Sequence, residues 1–194
     1  MKKRHFAYML TMAILLGASV FQSCEKHDDN HQHINEGELI TKVELLLISN
    51  DSLTKDTLFA VWSDKDGIGG NNPILPDSLL LQKNRSYSGF ILFYTNHSDT
   101  SFHDITNDIK AEGQDHIICY TVQSITLPPT GLAILRTDVD GNNKELGLNT
   151  QWNTPVNFDF GQVNVRLKHQ PGIKDGTCDP GETDVEVNFP YLIK

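Results

Sequence analysis

Between His27 and His33 the chain reads H-D-D-N-H-Q-H, which gathers imidazoles and carboxylates on a short stretch. Imidazole nitrogen and carboxylate oxygen are borderline to hard ligands that suit Zn2+, Ni2+ or Cu2+. His27, Asp28, Asp29, His31 and His33 are therefore read as a candidate site for zinc or another transition metal. The competing reading is a solvated polar spacer that meets metal only in passing. Two Asp-rich turns, Asp64-Lys65-Asp66-Gly67 and Asp138-Val139-Asp140-Gly141, each set two carboxylates on one side of a turn. That arrangement could offer oxygens to calcium, which takes six to eight of them. Neither turn has the spacing or the distal Glu of an EF-hand, and Asp closes turns without any ion. His97, His103, His116 and His169 stand at no recognisable ligand spacing. A pair of them could hold haem iron or zinc, but the sequence reads them first as structural histidines.

Signatures of catalysis are missing. The chain has no G-x-S-x-G, H-E-x-x-H, Walker A or C-x-x-C motif, so no catalytic residue is assigned and an enzyme is not expected. With 25 acidic and 16 basic side chains the formal charge is -9. Phosphate backbones reward Lys and Arg, so nucleic acid is not an expected partner.

The N-terminus sets the compartment. Met1–Arg4 is basic, and a charge-free apolar run follows from Phe6 to Phe21. It is shorter than the roughly 20 residues that span a bilayer and reads as a secretory signal. It ends at Gln22-Ser23-Cys24, which resembles the bacterial lipobox, although Phe21 and Gln22 depart from the usual pattern. The resemblance implies a signal peptide over residues 1–23 and lipid attachment (palmitate-type acyl chains) at Cys24. Each buried CH2 of such a chain adds about 0.8 kcal/mol of membrane affinity. Losing Lys2, Lys3 and Arg4 and no acid would lower the 16 basic groups to 13 and take the formal charge from -9 to -12. Anionic headgroups repel such a body, so it should stand off the membrane. Residues 24–37 form the expected acylated, flexible, His/Asp-rich tether, with Ile34 the one aliphatic side chain of Glu25–Gly37.

Residues 38–194 must then hold the fold, and there the period is two. Val163, Val165 and Leu167 alternate with Gln162, Asn164, Arg166 and Lys168, and Val185, Val187 and Phe189 alternate with Asp184, Glu186, Asn188 and Pro190. Leu146, Leu148, Thr150 and Trp152 alternate likewise with polar residues and Gly147. Each pattern gives one apolar and one wet face, as antiparallel sheets do. Val43–Ile48, Leu58–Trp62, Phe90–Tyr94 and Ile117–Val122 are apolar on both faces, which predicts central strands. Pro190 predicts a strand end or an edge. Leu79–Leu81 and Leu132–Leu135 read as shorter strands. The expected fold is all-β: a single antiparallel β-sandwich, Ig-like or related, of eight or nine strands. One short helix is expected over 104–112, with Asp104 at its N-cap, Gly113 just past its end and Ile105 and Ile109 on one face. Cys119 falls mid-strand and Cys178 in a loop, a candidate disulfide in a secreted chain.

As a string of landmarks the chain resembles small Bacteroidota-type outer-membrane lipoproteins that are often encoded beside TonB-dependent receptors and sometimes labelled as containing a periplasmic binding domain. The landmarks are Asn35–Thr41, Ser63–Gly67 with Gly69-Gly70, Asp104–Thr106 with Asp108-Ile109, Leu167–Gly172 and Gly181–Val187. The resemblance implies a lipid-anchored outer-membrane protein, facing the cell surface or the periplasm, that partners a TonB-dependent receptor, and surface exposure is the expected arrangement. The expected role is non-enzymatic: a binding accessory for uptake of a metal ion or metal complex. The alternatives are a structural or adhesive surface module without a small ligand, and a haem- or siderophore-binding lipoprotein.

Overall fold

Alternation in the sequence becomes two packed sheets. The computed structural model describes residues 39–51, 55–66, 70–96, 101–126 and 131–194. The strands are β1 (Lys42–Ser49), β2 (Thr57–Ser63), β3 (Leu79–Leu81), β4 (Ser86–Thr95), β5 (His103–Asp104), β6 (His116–Ser124), β7 (Ala133–Arg136), β8 (Asn149–Asn153), β9 (Asp159–His169) and β10 (Glu182–Ile193), with helix α1 (Thr106–Ala111) between β5 and β6. The first sheet runs β2-β1-β4-β8-β7, with β5 paired to β4, and the second runs β3-β10-β9-β6. The expected all-β sandwich is therefore the fold, and its described residues from Leu39 onward belong to one compact unit.

The core is the space between the sheets. Val43, Leu45, Leu47, Tyr87, Ile91, Phe93 and Trp152 come from the first sheet, and Ile118, Val163, Val165, Leu167, Val187, Phe189, Tyr191 and Ile193 from the second. Trp152 is the largest fully buried side chain. Its Nε1–H donates to Thr150 Oγ1 at 2.8 Å, so the indole leaves no polar atom stranded. Opposite, Gly89 is obligatory, because a Cβ there would lie 2.4 Å from Thr150 Oγ1 and 2.7 Å from Trp152 Nε1.

Several expectations need correction. β1 and β4 are interior strands, but β2 (Leu58–Trp62) and β6 (Ile117–Val122) are the edges of their sheets. β6 reads apolar on both faces because its outward Ile117 and Cys119 are buried as deeply as its inward Ile118. The Cys119–Cys178 disulfide brings loop 170–181 over that outer face. β3 and β10 pair in parallel, Leu79 against Tyr191, so the sandwich is not wholly antiparallel. Pro190 lies inside the interior strand β10, one residue before β3 begins its pairing. Leu146 and Leu148 are buried but precede β8 instead of belonging to it. The helix is shorter than expected, with Ile105 at the cap position. Asp104 Oδ1 still accepts the Thr106 N–H at 2.9 Å, and Gly113 is not left-handed. Ile105 and Ile109 do pack into the core. Among the described residues no helix is long and apolar enough to cross a membrane.

Replacing Trp152 with Ala removes the largest buried side chain and one of its hydrogen-bonded groups, which should destabilise the domain by about 3–5 kcal/mol. Guanidinium unfolding of the two proteins measures this directly. A difference under about 1 kcal/mol would contradict the packing described.

Candidate metal site at the open end of the second sheet

The apolar face of β9 does not stop at Leu167. His169 continues it in phase, and the ladder sets His169 directly opposite His116 of β6. Residues paired across an antiparallel ladder share a face, so both imidazoles enter the end of the sandwich beside Ile118 and Leu167. Their rings stack with centroids 4.7 Å apart and planes within 6°. The third group arrives through an irregularity. The β10–β9 register slips between Thr183 and Val185, making Asp184 the extra residue of a bulge. A bulge re-aims its side chain, and here it carries the Asp184 carboxylate from the expected wet face to a position where its side chain is 1% exposed. His116, His169 and Asp184 each present a donor atom, and these atoms all lie within 4.8 Å of one another.

The protonation state of His116 follows from its partners. Its Nδ1 lies 3.1 Å from the Glu112 carbonyl, an acceptor only, so Nδ1 carries the proton. Neutral imidazole then has a bare lone pair at Nε2. That nitrogen is buried, makes no hydrogen bond, and sits 4.0 Å from Asp184 Oδ2. Burial lowers the His116 pKa below its ordinary value, the Glu112 carbonyl partly opposes this, and the neighbouring His169 lowers it further. The imidazole is thus held in the neutral, ligating form.

Two imidazoles and a carboxylate are a donor set for Zn2+ or a similar divalent transition ion. Tetrahedral zinc with bonds of about 2.0–2.1 Å needs donors about 3.4 Å apart. The donor atoms lie within 4.8 Å of one another, so an ion bound here would have to draw them together by about 1.4 Å and turn the stacked rings toward a common point. A backbone carbonyl on the distal ring nitrogen is the usual outer support of a metal-bound His, and Glu112 provides it at His116. His169 is half-buried, so an ion held by these three groups would not be wholly shut off from solvent. Among the described residues this is the cluster of three or more such groups able to hold a metal ion.

The loop from Gln170 to Gly181 joins two of the three groups and is firmly held. The Gln170 amide donates to the Thr177 and Pro180 carbonyls at 3.0 and 2.8 Å. Lys174 Nζ donates to the Gly113 carbonyl at 2.7 Å and pairs with Asp140 Oδ2 at 2.8 Å, with both side chains almost wholly buried. Cys178 is bridged to Cys119 with Cα atoms 6.1 Å apart. Gly181 takes φ +80°, and a Cβ there would fall 2.1 Å from the His169 carbonyl oxygen, so only glycine lets β10 leave so close to β9.

Other sequence-singled residues do different work. Asp140 is not arranged for calcium: the Lys174 ammonium stands where the cation was expected, and Asp140 Oδ1 accepts the Asn142 and Lys144 N–H groups. Burial pushes the Asp140 carboxyl up, but Lys174 and those N–H groups outweigh it and hold the pKa below the ordinary carboxylate value. Asp138 accepts from the Gly147 and Leu148 amides, closing the same turn. Asp66 accepts from the Asn71 backbone and side chain. Asp64 donates its N–H to the Thr41 carbonyl, while residues 67–69 of its turn lie outside the described residues. Cys24, His27, Asp28, Asp29, His31, His33 and His97 also lie outside them. His103 is exposed on β5. Compared with protein-family models, curated proteins and solved structures, the chain matches none.

The buried pair beneath the loop yields a direct prediction. Lys174→Met leaves the Asp140 carboxylate buried without its cation and should destabilise the protein by about 3–5 kcal/mol. Adding Asp140→Asn should restore part of that loss. Chemical denaturation of the three proteins measures it, and a single variant within about 1 kcal/mol of wild type would show that the pair does not hold the loop.

Proposed function

We propose that this chain is a non-enzymatic binding lipoprotein of the cell envelope, anchored through Cys24, that serves a TonB-dependent receptor by holding a divalent transition-metal ion at His116, His169 and Asp184. The observation that carries the reading is the buried His116 Nε2, which is kept neutral and makes no hydrogen bond while its other ring nitrogen is fixed by Glu112. A protein that only needed to fill the end of a sandwich would place an apolar side chain there, because an unsatisfied buried acceptor costs about 1–3 kcal/mol. A bound cation removes that penalty.

Holding and release both matter for an accessory to uptake. Three protein donors leave one coordination position for water or for an incoming ligand, and the half-buried His169 gives that position its route to solvent. A receptor group entering there could take the ion by exchange. The imidazoles and carboxylates of His27, Asp28, Asp29, His31 and His33, close together in sequence, suit a weaker first capture. The lipid anchor and the receptor partnership rest on the lipobox-like Gln22-Ser23-Cys24 and on the family landmarks.

Calorimetric titration of the chelator-stripped full chain with Zn2+ should show one tight site per molecule. That site should survive replacement of His27, His31 and His33 by Ala. His116→Ala should weaken it by at least about tenfold, equivalent to 1.4 kcal/mol. No heat above background in wild type, or binding lost only with the tether histidines, would overturn the assignment.

A further inference from the structure

The disulfide and the metal site share one piece of chain. His169 and Asp184 bracket the loop that contains Cys178, and His116 lies three residues before Cys119 on β6. The bridge therefore ties β6 to the connection between the other two ligand-bearing strands. The bulge that turns Asp184 inward follows two paired residues, Glu182 and Thr183, past the end of this loop, so Asp184 stands six residues along the chain from Cys178. Resting on the metal reading above, we propose that the Cys119–Cys178 bridge regulates this site: oxidised, it holds the three donors in place, and its reduction by a dithiol releases the ion.

The surroundings of the bridge suit such an exchange. A cavity of about 240 Å3 is lined by Tyr120, Ile134, Leu135, Arg136, Glu145 and Cys178. Cys178 is half-buried at its wall, whereas Cys119 is 1% exposed. The Arg136 Nη1 lies 3.6 Å from Cys178 Sγ; its Nε and Nη2 pair with Glu145 at 2.8 and 2.7 Å, which fixes the guanidinium beside the sulfur and leaves Nη1 to stabilise the charge that develops on Cys178. A reductant thiolate attacks Cys178 Sγ, forming a mixed disulfide while the Cys119–Cys178 bond breaks and Cys119 leaves as a thiolate that takes up a proton. The second reductant thiol then attacks its own partner sulfur and expels Cys178 as a thiolate, which is protonated in turn. Two electrons and two protons pass to the protein, and the dithiol ends as a disulfide. Gln170 still holds the Thr177 and Pro180 carbonyls on either side of Cys178 and Lys168 Nζ the Gly181 carbonyl, but the stretch loses its covalent tie to β6 and is left with hydrogen bonds alone. Ordering it again must then be drawn from the binding of the ion.

The test compares Zn2+ affinity, by competition with a chromogenic chelator, in the oxidised chain, the phosphine-reduced chain and Cys119→Ser/Cys178→Ser. Binding about tenfold weaker in the reduced and double-Ser forms is expected, with recovery on reoxidation. Equal affinity in all three overturns the coupling and leaves the metal site standing. No binding in the oxidised chain overturns both. If the double variant does not fold, reciprocity supplies an independent readout on wild type: tenfold coupling corresponds to a zinc-induced shift of about 30 mV in the bridge's reduction midpoint, toward more negative potential. No shift there also overturns the coupling. Arg136→Gln should slow reduction by dithiothreitol several-fold while leaving the oxidised-state zinc affinity unchanged.

Discussion

A buried imidazole must place both of its ring nitrogens, and at His116 the protein places only one. The Glu112 carbonyl accepts a hydrogen bond from Nδ1–H, which leaves the ring's lone pair on Nε2 inside the sandwich. Everything that matters at this end of the molecule is arranged around that lone pair. The β6–β9 register brings a second ring beside it, the β10 bulge brings a carboxylate, and burial suppresses the protonation that would let His116 and Asp184 settle as a plain ion pair.

The rest of the fold can be seen as what keeps this geometry from relaxing. β6 is an edge strand, and an edge with a bare polar end is a liability. Here it is closed by covalent and ionic ties to loop 170–181: the Cys119–Cys178 bridge on its outer face, and the buried Lys174–Asp140 pair, whose lysine also reaches the Gly113 carbonyl just before β6. Asp140 belongs to a turn that looks, by residue type, like a calcium loop. The physics is similar, since oxygens converge on a cation, but the cation is an ammonium from the chain itself.

Much of the architecture was legible because alternation reports burial directly. Val163, Val165 and Leu167 predicted one face of β9, and Val187 and Phe189 one face of β10. What misled was covering from outside the sheet. Ile117 and Cys119 look like a central strand because a disulfide-bound loop buries them, and a cover of that kind leaves no periodic mark. The candidate site was harder still. His169 stands in phase with Leu167, and that was the available signal that it points inward. His116 joins it only through a pairing between distant strands. Asp184, two residues before Glu186 on an apparently wet face, is turned inward by a register slip that no local spacing encodes. The histidine run at 27–33 drew attention because its ligands are close in sequence, whereas the site in the sandwich is close only in space.

Long-range 1H–15N spectra of the imidazole side chains test the central claim most directly, because they report which ring nitrogen carries the proton. In the chelator-stripped chain near neutral pH, His116 should appear as a neutral ring protonated at Nδ1, and one equivalent of Zn2+ should move a ring-nitrogen signal of both His116 and His169. A His116 protonated at Nε2, or spectra in which zinc moves only the imidazoles of His27, His31 and His33, would contradict the account.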